Sequence, residues 1–294
     1  MKGIGPVAIA LLITVFGLSA EAIYMNLFIG TRVSRSIVSQ EVEIIKAVNR
    51  MEMVKIGLPY ALEYSFSQAI YDVFKNGGYT KLPDNIPKYN NLPIWREYDK
   101  IYPPNIEENI EKLTLIYLNQ YTKSLEFLDA SYNEVDISES EECLNIKAGG
   151  NQDLKISSNF FSLYETSNIS ISIKSNFFNL YKLAKERFLD NDSIGEAISR
   201  SLQSFDCSSN KDSIRATIEQ TIKNTEFFDD KITLSLNCVD VVFKPTCNST
   251  VALIVEVSIK DNFKYIVYDG TNDYRNPELK FFVKTSNDYS FTLV

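Results

Sequence analysis

VSRSIVSQEVEIIKAVNRMEMVKIGLPYALEYSFSQAIYDVF, residues 33–74, is the periodic stretch from which the rest of the chain is read. Apolar residues recur at steps of three and four: Val33, Ile37, Val38, Val42, Ile45, Val48, Met51, Val54, Leu58, Leu62, Phe66, Ile70 and Val73. Arg35, Glu41, Lys46, Arg50 and Lys55 lie between them. This spacing predicts an amphipathic helix with one continuous apolar stripe. Gly57-Leu58-Pro59 predicts a kink, because proline removes an amide donor and clashes with the preceding turn. Asn76-Gly77-Gly78 predicts the stop. A stripe of this length exposes contiguous apolar surface unless it is buried against its own head or against copies of itself.

Upstream, residues 4–29 carry one charge, Glu21, and at about 1.5 Å per residue they reach ~39 Å, enough for a ~30 Å hydrocarbon core. The expectation is a leader and transmembrane helix over 1–30, extended into a stem helix over 31–76 that is kinked near Pro59. Three processing schemes compete. In a secretory signal, Lys2 is the cationic head, 4–18 the apolar run and Ala20-Glu21-Ala22 the cleavage site. In a signal anchor nothing is cut. In the third, a short cationic head is removed and the helix is kept. Lys2-Gly3 followed by Ile4-Gly5-Pro6-Val7 resembles the class III signal segment of archaeal type IV pilins and archaellins, over about the first 25 residues. The resemblance implies cleavage between Gly3 and Ile4 and retained helices that bundle into a filament, with other pilin-like subunits as partners. Ala8 stands near where many bacterial pilins carry a glutamate.

The 294 residues fit one large or two small domains, and 45% hydrophobic content is ample for a packed core. Thirty lysines and arginines against 38 aspartates and glutamates give a net charge of −8, which argues against a nucleic-acid partner. The absence of histidine removes Ser-His-Asp and Cys-His catalysis and imidazole metal ligands together.

Cys143, Cys207, Cys238 and Cys247 include no Cys-x-x-Cys pair. Their even number beyond an export signal points to two disulfides, with three pairings open. Cys238 and Cys247 are close enough for a local staple, which leaves Cys143 for Cys207; four buried thiols are the plain alternative. Asn168, Asn191 and Asn248 each begin an Asn-x-Ser/Thr glycosylation pattern. Anchor, cysteines and sequons together predict a single-pass protein of the cell membrane with the bulk of the chain extracellular.

Residues 77–104 hold five prolines with Tyr79, Tyr89, Trp95, Tyr98 and Tyr102, and read as a loop riveted down by its aromatics. The head, 105–294, opens with a helix capped by Asn105 and Glu108. Short alternating runs predict strands at 135–137, 144–146, 154–156 and 169–173, then helices at 177–189, 194–205 and 214–228. Strands return at 232–243, 251–259, 263–268 and 279–283, with Asp261-Asn262 as a tight hairpin turn. Blocks of helix and antiparallel strand make the head α+β.

No catalytic or cofactor-binding constellation is legible. Asp190-Asn191-Asp192-Ser193-Ile194-Gly195 imitates an EF-hand start but lacks ligands where Ile194 and Ser201 stand, and reads as a helix cap. Asp269, Thr271 and Asp273 pack oxygens into a turn and are the better calcium candidate, against a plain turn. Glu134, Asp136, Glu139, Glu141 and Glu142 read as a solvated acidic face. The expected function is therefore a non-enzymatic, membrane-anchored archaeal surface protein, pilin-like or adhesive. The alternative is a single-pass receptor or solute-binding protein with a ligand pocket in the head.

Overall fold

The structure is a computed structural model and describes residues 4–140, 143–158, 160–203, 210–224, 232–243, 248–261 and 263–290. Its first element, α1 (Ile4–Lys75), is a helix of 72 residues, ~108 Å at about 1.5 Å per residue. It continues through both Gly30 and Pro59. A mid-helix proline costs about 3 kcal/mol, and here Leu58 and Leu62, one on each side of it, are both fully buried and hold the flanking turns. The helix ends at the expected glycines: the Gly77 and Gly78 amides donate back to Phe74 and Val73 carbonyls, with both glycines at positive φ.

The expected N-terminal transmembrane helix is corrected, and with it the single-pass membrane placement of an extracellular head. Among the described residues no helix is long and apolar enough to cross a membrane. Length is not what α1 lacks. The charges that interrupt α1 every few residues, Glu41, Glu43, Lys46, Arg50, Glu52 and Lys55, lie beyond the expected span of 4–29 and keep the stem half out of a bilayer, where each would cost roughly 2.5–3.5 kcal/mol.

After α1 come β1 (Lys88–Tyr89), β2 (Leu92–Glu97), β3 (Lys100–Ile101) and α2 (Ile106–Lys123). β4 (Tyr132–Glu139), β5 (Cys143–Gly150), β6 (Leu154–Ser157), β7 (Ser162–Glu165) and β8 (Ile169–Lys174) follow. Next, α3 (Phe177–Lys185) passes through a π-helical turn (Glu186–Asp190) towards α4 (Ser193–Leu202) and α5 (Lys211–Asn224). The remaining strands are β9 (Ile232–Phe243), β10 (Asn248–Lys260), β11 (Tyr265–Tyr268), β12 (Asn272–Arg275) and β13 (Glu278–Ser290). One sheet runs β1-β2-β13-β10-β9 with β3 beside β2, and a second runs β4-β5-β8. β6 with β7 and β11 with β12 form separate antiparallel pairs. Only the pairing of β13 with β2 is parallel among the described strands.

The Asp261-Asn262 hairpin is not formed, because β10 pairs with β9 and β13 while β11 pairs with β12. Asp261 is instead buried, its carboxylate accepting hydrogen bonds from Ser175 at 2.5 Å and Tyr265 at 2.7 Å. Asn262 lies outside the described residues. The 77–104 segment is strapped to the core by its aromatics: Trp95 is fully buried, stacks on Phe281 at 3.7 Å and donates to the Gly77 carbonyl.

The second half of α1 is itself a core element. Leu62, Phe66, Ala69, Ile70 and Val73 pack into the main core with Trp95, Phe177, Val255 and Phe281. Ala47, Met51, Val54 and Leu58 close a smaller core with Leu128, Leu154 and Ile156. From Ala47 onward α1 shares these two cores with the elements that follow it.

Candidate functional site

The side of α1 turned away from the head carries the arrangement that the core does not explain. Val38, Val42, Ile45, Met53, Ile56, Tyr60 and Tyr64 are 39–68% exposed. With Asn49 between Ile45 and Met53, they follow steps of four, three and four, so the pattern repeats every eleven residues. That is about 3.67 residues per turn, close enough to the helix's own 3.6 for the stripe to stay nearly parallel to its axis. At roughly 100° per residue it lies about half a turn from Ala47, Met51, Val54 and Leu58.

Charge flanks this stripe on both sides. Glu41, Glu52 and Glu63 recur at the same eleven-residue interval along one flank, with Lys55 beside Glu52 at 3.6 Å; Lys46 and Arg50 stand on the other, together with Glu43. The Arg50 guanidinium also lies 5.4 Å above the Phe127 ring. The series continues through Ser67 and Tyr71, and there the β11–β12 pair covers it. The Tyr71 hydroxyl donates to Asp269 at 2.6 Å, and the Tyr268 amide donates to Gln68 at 2.8 Å. The stripe is thus open from Val38 to Tyr64 and closed beyond.

Asp269 is held by protein groups. Besides Tyr71, Arg275 donates to it at 3.1 Å and Lys75 lies 3.8 Å away. The Tyr71 hydrogen bond and the Lys75 charge hold its carboxyl below the usual aspartate value. Asp273 is 4.0 Å from Arg275, and Thr271 contributes its carbonyl to the Asp269 amide. Cations of the chain itself occupy this turn, and no group of three or more metal-ligating side chains occurs among the described residues. The EF-hand-like stretch is a helix cap: Asp192 accepts from the Gly195 amide and from Thr285.

Cys143 is a free, half-buried thiol at the start of β5, so the pairing with Cys207 is not present. Cys207 and Cys247 lie outside the described residues, and Cys238 is placed within β9. Ile4 is the first residue of α1; Gly3, on the other side of the expected cut, lies outside the described residues, as do Glu141 and Glu142. Asn191 is exposed after the π-helical turn, and Asn248 begins β10. Asn168 lines a shallow cavity of about 550 Å³ over the open face of the β4-β5-β8 sheet, with Glu134, Asp136, Lys147 and Ser170.

Ser175, Asp261 and Tyr265 form a buried side-chain triad of hydrogen bonds that superficially suggests chemistry. All three are buried, and burial raises the Tyr265 hydroxyl well above its ordinary value, which suits a packing role. Sequence reading assigned Val38, Val42 and Ile45 to the same stripe as Met51 and Val54; the eleven-residue interval of Glu41, Glu52 and Glu63 is the signal that separates the two faces. No protein-family model, no curated protein and no solved structure matches this chain.

Proposed function

We propose that this chain is a non-catalytic structural subunit, pilin-like in plan, in which a mixed helix-and-sheet head is carried on a helical rod that assembles with copies of itself. The observation that carries this reading is the open apolar stripe on α1, from Val38 to Tyr64. Isolated exposed apolar residues are ordinary, but a contiguous series along one helix face is a mark of association. Sedimentation of the full chain across a wide concentration range, with electron microscopy of the heaviest fraction, tests it. Concentration-dependent growth into rods or filaments is the expected result, and a monomer at every concentration defeats the reading.

A ligand-binding head is the second reading, favoured by the β4-β5-β8 cavity, whose volume falls in the range of small-molecule sites. Its lining of Glu134, Asp136, Lys147, Asn168 and Ser170 has no aromatic platform, and each of these side chains is exposed as on any solvated sheet face. Saturable binding lost in Lys147→Ala would favour it over assembly.

A further inference from the structure

Along α1 the buried residues divide between two cores. Ala47, Met51, Val54 and Leu58 belong to the smaller one, and from Ala61 onward the helix packs into the main one. Pro59 stands at the division, two residues after Gly57. Glycine and proline weaken a helix more than any other residues. No packing need accounts for Gly57: a Cβ added there would meet nothing nearer than the Tyr121 hydroxyl, at 3.9 Å. Pro59 has no amide to give the Lys55 carbonyl one turn back. Its flanking turns are gripped by Leu58 in one core and Leu62 in the other.

We propose that residues 57–59 are a hinge. The half of α1 ahead of them swings off the β6–β7 pair as the smaller core opens, while the main core keeps the half behind them fixed. Hinges are a few positions that absorb a backbone change between two rigid bodies, and here the two bodies are the two cores. Opening frees Leu58, so one of the two grips on Pro59 is lost and the bend that proline favours is no longer opposed. The hinge does not depend on self-assembly.

The smaller core is the weaker of the two. Seven buried residues fill it, none of them aromatic, whereas the main core holds Phe66, Trp95, Phe177 and Phe281. Few buried apolar contacts are what let part of a fold open by itself. Among the described hydrophobic residues only Ile169, half-buried, packs against both cores. β6 and β7 pair with each other and, through one bridge between Asp129 and Lys155, with the segment after α2, so neither larger sheet is broken when they part from α1. The Lys55–Glu165 ion pair that joins them to α1 at 3.0 Å is open to solvent, and such pairs hold weakly.

Two buried alanines of the same helix decide this. Ala47→Cys reports on the smaller core and Ala69→Cys on the main one; each site is at most 4% exposed, so its thiol is alkylated only when its core opens. Alkylation rates are read by peptide mass spectrometry of the full chain in dilute, dissociated solution, which separates these sites from the native cysteines. Ala47→Cys should react at least about tenfold faster than Ala69→Cys. Adding Ile156→Val, a mild change within the smaller core, should speed Ala47→Cys about fivefold further and leave Ala69→Cys unchanged. Adding Gly57→Ala with Pro59→Ala should instead slow Ala47→Cys at least about fivefold. Equal rates at the two sites, or acceleration of both by Ile156→Val, would mean one cooperative core and overturn the proposal. An Ala47→Cys rate indifferent to Gly57→Ala with Pro59→Ala overturns the hinge, because the opening then needs no bend at 57–59.

Discussion

Replacing Phe66 with alanine tests whether α1 belongs to the core or merely leans on it. Phe66 is fully buried, its ring 6.4 Å from that of Tyr265, within the main core. Burying such a side chain is worth roughly 1.5–3 kcal/mol in transfer alone. The void left by truncation, about 100 Å³ before relaxation, adds about 2.4 kcal/mol at ~24 cal/mol per Å³. Partial collapse of the void brings the expected loss to about 4 kcal/mol, inside the usual range for Phe→Ala. With a urea m-value of about 3 kcal/mol/M, that moves the unfolding midpoint down by roughly 1.3 M. Met53→Ala, 63% exposed on the opposite side of the same helix, should shift it by less than about 0.5 kcal/mol in dissociated protein. Equilibrium urea unfolding followed by circular dichroism reads both. Equal, small shifts for the two variants would refute the placement of α1 in the core and return it to a detached stem.

Gly78→Ala should destabilise the protein by about 1–3 kcal/mol, since Gly78 has φ +95° and an added Cβ would lie 2.6 Å from Pro104 Cγ and 2.9 Å from Trp95 Cζ2; an unchanged melting temperature would contradict the strap. Burial pushes Tyr79, Tyr132 and Tyr181 each up to about 12 from an unfolded value of 10.0. Above pH 10 the unfolded chain then loses protons that the folded one keeps, so stability should be flat to about pH 10 and fall from there through pH 12. Tyrosinate absorbance should rise together with loss of secondary structure, and ionisation of these tyrosines in a chain that stays folded would contradict their burial. Added calcium should leave the melting temperature unmoved, because Arg275 and Lys75 already neutralise Asp269; a rise in midpoint abolished by Asp269→Ala would reinstate the calcium turn.

What the sequence made legible was local. The Asn105–Glu108 cap is present as a reciprocal pair, the Asn105 side chain accepting from the Glu108 amide and donating to its carboxylate. β9 spans the run of alternating residues read for it. Both depend on neighbours within a few positions. The failures depend on distant ones. Pro59 stays helical because Leu58 and Leu62 are gripped by the head, a tertiary contact that overrides propensity. The turn at Asp261 was misread because its composition suits a hairpin, while its partners are Ser175 and Tyr265 in the core. The two faces of α1 were merged because steps of three and four occur on each; the interval of Glu41, Glu52 and Glu63 is a faint trace of the division, and the cover supplied by Leu128, Leu154 and Ile156 is what makes it a division between buried and open.

The parallel contact between β2 and β13 bears on how the chain is made. Phe282 sits opposite Ile94, and β13 lies between β2 and β10 inside the six-stranded sheet. On the ribosome, β2 emerges long before the strand that must lie against it, and Trp95 waits with it for Phe281 while Phe66 waits for Tyr265. Contacts of such long sequence separation close slowly and leave apolar surface open meanwhile. A nascent chain stalled ahead of β13 should accordingly be a substrate for holding chaperones, and release of β13 should be the step that ends that dependence.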